Sequence, residues 1–179
     1  MNPDSMKGFE IRDVTPDQAA RLAEFGARTF FEAFAVENTP EDMRKHIESA
    51  WSPGKQLAEL QDPDIATLVL TDRSDRWLGF AQLRANKVSE GVPKQGSLEL
   101  WRFYVDQPFH GQGVAAALMS GVKARARARG ATSLWLGVWE RNERAKAFYA
   151  KHGFGKVGSQ VFVVGSDPQT DQVMLCSLK

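Results

Sequence analysis

The chain has 179 residues, 42% hydrophobic and 25% charged, which is the balance of an ordinary globular protein and, at roughly 100 to 200 residues per domain, makes one domain over 1–179. Lys plus Arg at 23 against Asp plus Glu at 22 gives a formal charge of +1, which excludes gripping nucleic acid or an anionic membrane surface by bulk charge, so an anionic ligand needs a local site. The single cysteine, Cys176, excludes an internal disulfide or a cysteine-built metal cage and suits a reducing cytoplasm, and no stretch, the Met1–Lys7 start included, approaches the roughly 20 apolar residues of a membrane span.

Residues 9–14 alternate and predict a short strand. Thr15-Pro16-Asp17-Gln18 then offers an N-cap, a proline at the first helical position and a capping-box partner for a helix reaching about Phe34. Thr39-Pro40-Glu41-Asp42 repeats that start for a second helix ending near Trp51, and a short helix over 55–61 fits before Asp62-Pro63-Asp64. Residues 66–71 and 77–83 are apolar runs at hairpin spacing, and after a polar loop over 86–96, residues 98–105 predict a third long strand. It runs straight into a glycine turn. The alanine-rich stretch 113–129 predicts a helix stopped by Gly130, 133–139 a strand, 142–152 a helix capped by Gly153, and 160–164 with 172–178 a last strand pair around a loop over 166–171. The order β, α, α, β, β, β, α, β, α, β, β predicts a mixed α/β (α+β) domain, one sheet with helices packed on it.

The segment that carries chemistry is Phe103-Tyr104-Val105-Asp106-Gln107-Pro108-Phe109-His110-Gly111-Gln112-Gly113-Val114-Ala115-Ala116, a strand feeding a glycine turn that opens a helix. The first amides of a helix lack internal partners and carry about half a positive charge between them, so they can hold a phosphate without a basic side chain. Without a Cβ, Gly111 and Gly113 allow positive φ and a close approach. An ordinary strand-to-helix turn has the same outline. Gly111-x-Gly113-x-x-Ala116 with Glu140 also fits a dinucleotide fingerprint, but such a fold begins with this turn, and here three strands precede it. A P-loop would need Gly-Lys-Ser/Thr, which is absent.

Leu98-Glu99-Leu100-Trp101-Arg102-Phe103-Tyr104-Val105, the turn with its x-x-Gly-x-Ala ending, and Asn142-Glu143-Arg144-Ala145 through Phe148-Tyr149-Ala150-Lys151-His152-Gly153-Phe154 resemble the GNAT superfamily of N-acetyltransferases across most of the chain. The resemblance implies a mixed central sheet of about seven strands with helices on both faces, acetyl-CoA as co-substrate, no metal, and a small-molecule amine as acceptor. Thr29-Phe30-Phe31-Glu32-Ala33-Phe34 with Asn38-Thr39, Leu134-Trp135-Leu136-Gly137-Val138-Trp139-Glu140-Arg141-Asn142, and Gln169-Thr170-Asp171-Gln172-Val173-Met174 are similar to the bacterial PaiA-like polyamine N-acetyltransferases. His110 departs from the family pattern, where Arg or Gln usually opens the turn. That departure keeps the backbone donors and leaves a side-chain contact to the pyrophosphate open.

Carried over to these positions, the resemblance pairs the pantetheine arm with the main-chain edge of Phe103, Tyr104 and Val105. It seats the pyrophosphate on the amides of Gly111, Gln112, Gly113, Val114 and Ala115, with His110 and Ala116 bounding the turn. Asn142, equally suited to be a helix N-cap, would bond the pantetheine arm, with Ala145 beside it. Tyr149, seven residues along the same helix face, would act as general acid toward the leaving thiolate. An alkylammonium of pKa near 10.4 is neutral in about one molecule in 2,500 at pH 7, a cost of roughly 4 to 5 kcal/mol, so a base is needed. Glu99 aligns with the family's base, and the same residue could be a surface carboxylate or an ion-pair partner of Arg102.

Other residues read as structural. Cys176 suits a buried small hydrophobe, His46 and His152 helix surfaces, and Lys123, Arg125, Arg127 and Arg129 a solvated helix end. Phe30, Phe31, Phe34 and Trp51 suit the core, with an acceptor wall as the alternative. Glu32, Glu37, Glu41, Asp42, Asp167 and Asp171 could draw in a polycation or be plain solvated acids. Two other functions fit the same turn: a non-catalytic acyl-CoA binding or sensing domain, and acetylation of a protein, peptide or amino-acid amine. The oligomeric state is open, a homodimer included.

Overall fold

The computed structural model describes residues 8–179; the Met1–Lys7 start lies outside the described residues. The elements run β1 (Phe9–Asp13), α1 (Ala19–Phe34), α2 (Pro40–Ala50), α3 (Pro53–Gln61), β2 (Ile65–Asp72), β3 (Trp77–Arg84), β4 (Ser97–Val105), α4 (Val114–Ala128), β5 (Ser133–Trp139), α5 (Glu143–Lys151), β6 (Gly155–Val164) and β7 (Asp167–Ser177). The start signals act as read. Thr39 and Ser52 accept from the amides of Asp42 and Lys55, each at 3.2 Å, and the Thr15 box opens a single 3-10 turn, Pro16–Gln18, ahead of α1.

Among the described residues seven strands form one sheet in the order β1-β2-β3-β4-β5-β7-β6, antiparallel everywhere except between β4 and β5. Helices cover both faces. Leu68 and Leu70 of β2 enter the core under α4 with Leu118, Met119 and Val122, while Val69 between them enters the core under α1 with Leu22, Phe25 and Phe30. A strand buried on both sides is apolar throughout rather than alternating, which is how this one reads.

The C-terminal end departs from expectation. Residues 166–171 are not a loop, because β7 starts at Asp167 and β6 already at Gly155, leaving a two-residue turn. Pro168 and the polar residues around it hide the strand in the sequence. They are tolerated because β7 meets β5 only from Asp171 onward and before that pairs with β6 alone. The cations of α4 are also not merely solvated. Lys123, Arg127 and Arg129 donate to the carbonyls of His152, Leu178 and Pro63, and Arg125 pairs with Asp13, so the helix end fastens four other segments. Cys176 is buried in the α4-side core, as read. His46 and His152 are half-buried rather than surface groups, stacked or tilted against Phe30 and Phe148.

Candidate active site

β4 and β5 pair in parallel only at Ser97–Ser133, Leu98–Leu134 and Glu99–Trp135; beyond that β4 continues to Val105 and β5 to Trp139 with no pairing between them. The parting has a local cause. Arg102 lies opposite Gln82 and Leu100 opposite Leu83, so Trp101 is an extra residue in β4, and such a bulge bends the strand and increases its twist. The resulting opening is part of a cavity of about 1080 Å³ that runs from the glycine turn to α1 and β6.

The edge facing this opening is narrower than expected. Asp106 N–H donates to Leu78 O at 2.9 Å, and Tyr104 lies in step opposite Phe80. The alternation of an antiparallel ladder then turns the main-chain groups of Tyr104 toward β3 and those of Phe103 and Val105 toward the cavity. Tyr104 therefore offers its ring and hydroxyl, not its amide. It stacks on Phe80 at 5.6 Å, and burial pushes its phenol up to about 12.

The turn has the anion-binding geometry. Gly111 and Gly113 hold φ of +77° and +83°, and a Cβ at either would meet only open space. The first bond of α4 runs from Ala117 N–H to Gly113 O at 3.0 Å, so the amides of Val114, Ala115 and Ala116 have no carbonyl partner among the described residues. Two candidates have their side chains engaged elsewhere and leave only main-chain groups at the turn: Val114 buries its side chain in the core, and Gln112 donates its side-chain amide to Pro108 O at 2.7 Å. His110 is engaged on both nitrogens. Nε2 donates to Val105 O at 2.8 Å, which leaves Nδ1 to accept from Arg144 Nη1 at 3.1 Å. The histidine thereby ties the end of β4 to the start of α5 and holds a guanidinium at the cavity wall beside the turn.

Asn142 caps α5, accepting from Ala145 N–H at 3.0 Å through Oδ1, which consumes the Ala145 amide and leaves the Asn142 Nδ2 donor without a partner among the described residues, at the cavity wall. Tyr149 lies edge-on to Phe103 at 6.2 Å and to Phe154 at 5.7 Å, and its hydroxyl has no partner among the described residues. Burial raises its pKa, so it stays protonated at neutral pH.

Glu99 is 5% exposed and does not pair with Arg102. Arg84 Nε and Nη2 hold its Oε2 at 2.8 and 2.6 Å, while Arg102 binds Glu59 and Gln82 beneath the sheet. Burial lifts the Glu99 pKa, and the Arg84 charge works against that lift. Both guanidiniums, of Arg84 and Arg102, lie over the ring of Trp101, the bulged residue, at 4.0 and 3.9 Å. Of the aromatic group, Phe30 and Trp51 are core, Phe34 lines the cavity and Phe31 is 51% exposed. Glu32 and Glu41 pair with Arg28 and Lys45, and Asp42 is held down to about 2 by hydrogen bonds from Thr39 and Ser166. Asp171 is different: it is buried on β7 and lines the cavity. The sequence reading gave no site role to Arg84, Trp101 or Arg144; only the position of Arg144 inside the Asn142 motif pointed to it.

Residues 26–154, most of the chain, match the model of the acetyltransferase (GNAT) family. The chain belongs to the GNAT acetyltransferase family. An uncharacterized N-acetyltransferase of Lactobacillus delbrueckii subsp. lactis is 31% identical over 166 residues, covering 93% of this chain and 95% of that one. One of Mycobacterium bovis is 37% identical over 161 residues, covering 89% and 97%. A crystal structure of the PaiA N-acetyltransferase from Thermoplasma acidophilum in complex with coenzyme A superposes with a TM-score of 0.77 at 21% identity, covering 94% and 98%. As a GNAT acetyltransferase, the chain places the parted strands and the unpaired helix amides on one cavity.

Proposed function

We propose that this N-acetyltransferase moves an acetyl group from acetyl-CoA to the primary amine of a small cationic molecule, a polyamine foremost, by direct attack in a ternary complex. The observation that carries the reading is the continuity of the cavity from the unpaired amides of Val114–Ala116, past the free edge of Phe103 and Val105, to a chamber bearing carboxylates and aromatic rings. The residues present fit acetyl-CoA. The open Cβ positions at Gly111 and Gly113 leave room for a diphosphate, and Arg144 adds a full charge beside the main-chain donors. Phe103 N–H and C=O and Val105 N–H are free to pair with an extended amide chain, Val105 O being taken by His110. Asn142 Nδ2 is a further donor along the same path.

Acetyl-CoA supplies an activated acyl carbon and a thiolate leaving group. Tyr149, protonated and without a competing partner, gives a proton to the sulfur. Apolar walls from Phe30, Phe34 and Phe162, with carboxylates between them, suit an alkylammonium. The PaiA-like sequence pattern over 29–39, 134–142 and 169–174 supports the polyamine class.

Thiol release from acetyl-CoA in the presence of spermidine, amino acids and a peptide N-terminus tests the reading. Release with polyamines and little with the rest is expected. Silence across the whole panel overturns catalysis, and preference for the peptide overturns the acceptor class.

A further inference from the structure

Asp171 is a buried acid with nothing among the described residues to satisfy it. It is 8% exposed, and its carboxyl accepts no hydrogen bond and joins no ion pair among the described residues. Its place is set by register. Asp171 lies opposite Trp139 of β5 and Gln160 of β6, and its side chain turns to the sheet face that Trp135 and Val173 share, away from α4. There it leans over Gly137, two residues past the last β4–β5 pair. A Cβ built on Gly137 would lie 2.9 Å from Asp171 Oδ2 and 2.6 Å from Gln160 Nε2, so the missing side chain makes the recess that holds both groups.

Glu99 sits at the closed end of the same opening, but its charge is committed to Arg84, and an ammonium brought to it would meet that guanidinium. Asp171, Tyr104 and Tyr149 line the same cavity, so the unpaired carboxyl and the proton donor share one chamber.

We propose that Asp171 is the anchor for the acceptor's primary ammonium and the base that takes its proton. This rests on the amine acetyltransferase reading above and goes beyond it by assigning the ammonium site. The nitrogen gives its first proton to Asp171, which passes it to water. The freed lone pair forms the C–N bond, the C–S bond breaks with its electron pair going to sulfur, and Tyr149 protonates the sulfur. The nitrogen sheds a second proton as the amide forms, equal in number to the one Tyr149 gave up and recovers through solvent.

Burial alone lifts the Asp171 carboxyl to about 6, so it is ionised and able to accept a proton at neutral pH. The charged and titratable groups lining the cavity around it are Tyr104 and Glu99 of β4, Tyr149 of α5, Arg84 of β3 and Glu32 of α1, which is paired with Arg28. Lys87, before β4, lies on the Glu99 side; His110, Arg144, Lys151 and His152 lie toward the turn and α5; β5 and β6 line it with no titratable group.

The test compares Asp171→Asn, Glu99→Gln and the parent from pH 5 to 9, using n-butylamine and spermidine as acceptors, with coenzyme A affinity as the check on folding. In the parent, kcat/KM should fall below about pH 6. Asp171→Asn should lose that limb together with about 100-fold or more of kcat/KM at pH 7.5, while Glu99→Gln keeps the limb. An Asp171→Asn enzyme within threefold of the parent, with its acid limb intact, overturns the proposal. If the parent binds coenzyme A but acetylates neither amine, the acceptor reading fails on its own. The proposal is then decided by carboxyl 13C NMR of the Asp-labelled parent with coenzyme A. Saturating n-butylammonium should lower the Asp171 midpoint by one unit or more, and an unmoved midpoint overturns it.

Discussion

On the function proposed above, the two ends of the cavity recognise their ligands by different means. At the turn the partners are main-chain groups: the amides of Val114–Ala116, the edge of Phe103 and Val105, and a backbone bent by Gly111 and Gly113. At the acceptor end they are side chains drawn from distant parts of the chain, with Arg84, Glu99, Tyr104 and Asp171 arriving on β3, β4 and β7. Main-chain recognition depends on backbone shape, which a short local motif specifies, and tolerates changes of side chain. Side-chain recognition depends on tertiary register, so one substitution there can change which molecule reacts while the cofactor end is untouched.

The largest expected effect lies where the two ends meet. Tyr149→Phe removes the hydroxyl and leaves the ring packing against Phe103 and Phe154. It should lower kcat by about 10²- to 10⁴-fold and leave coenzyme A affinity unchanged, since the turn amides are not altered. Steady-state kinetics beside calorimetric binding separates the two. A kcat within threefold of the parent would mean that the proton reaches sulfur by another route.

The acceptor end can also be probed through stability. Because the folded pKa of Asp171 is raised to about 6, the folded state holds a proton that the unfolded chain has already released between about pH 4 and 6, and stability falls as pH rises through that window. Asp171→Asn is neutral throughout. It should match the parent near pH 4 and be the more stable of the two above pH 6, by as much as about 3 kcal/mol. Urea unfolding at pH 4 and pH 7.5 reads the difference. Equal stability at both would show that the carboxyl is already solvated from the cavity.

How legible each end is in the sequence follows from the same contrast. The turn, the strand before it and the Asn142–Tyr149 helix were readable because capping, glycine conformation and helical spacing are local properties. The β4–β5 parting was not, since the bulge at Trp101 shows only once Leu83 and Gln82 take their partners. Glu99 read as a base, a surface carboxylate or an ion-pair partner of Arg102, and only the folded register sends Arg102 to Glu59 and leaves Glu99 to Arg84. Asp171 read as one of several acids that draw in a polycation or are simply solvated, and nothing singled it out because Pro168 disguised the start of β7. Its burial is a consequence of pairing with β5 and β6, not of anything in its own segment.

At the turn, Gly113→Val should cost coenzyme A affinity about 10- to 100-fold. A β-branched residue resists a φ of +83°, at roughly 1 to 2 kcal/mol, and relaxing that strain turns the neighbouring amides off their common target. Isothermal titration with coenzyme A measures it. The acid limb assigned to Asp171 should stay where it is, because the change lies at the other end of the cavity.

The smallest effect is the sharpest test of the main-chain account. Gln112 lies between the two glycines and is the residue that a side-chain model of phosphate binding would pick, yet its amide points to Pro108 O at 2.7 Å and its side chain does not line the cavity. Gln112→Ala keeps every backbone donor and loses one exposed hydrogen bond, worth about 0.5 to 1 kcal/mol of stability at most. Coenzyme A affinity should therefore stay within threefold of the parent, against the much larger loss from the change one residue along. A tenfold loss would mean that the side chain swings from Pro108 to the ligand, and the division between a main-chain end and a side-chain end would fail at its first residue.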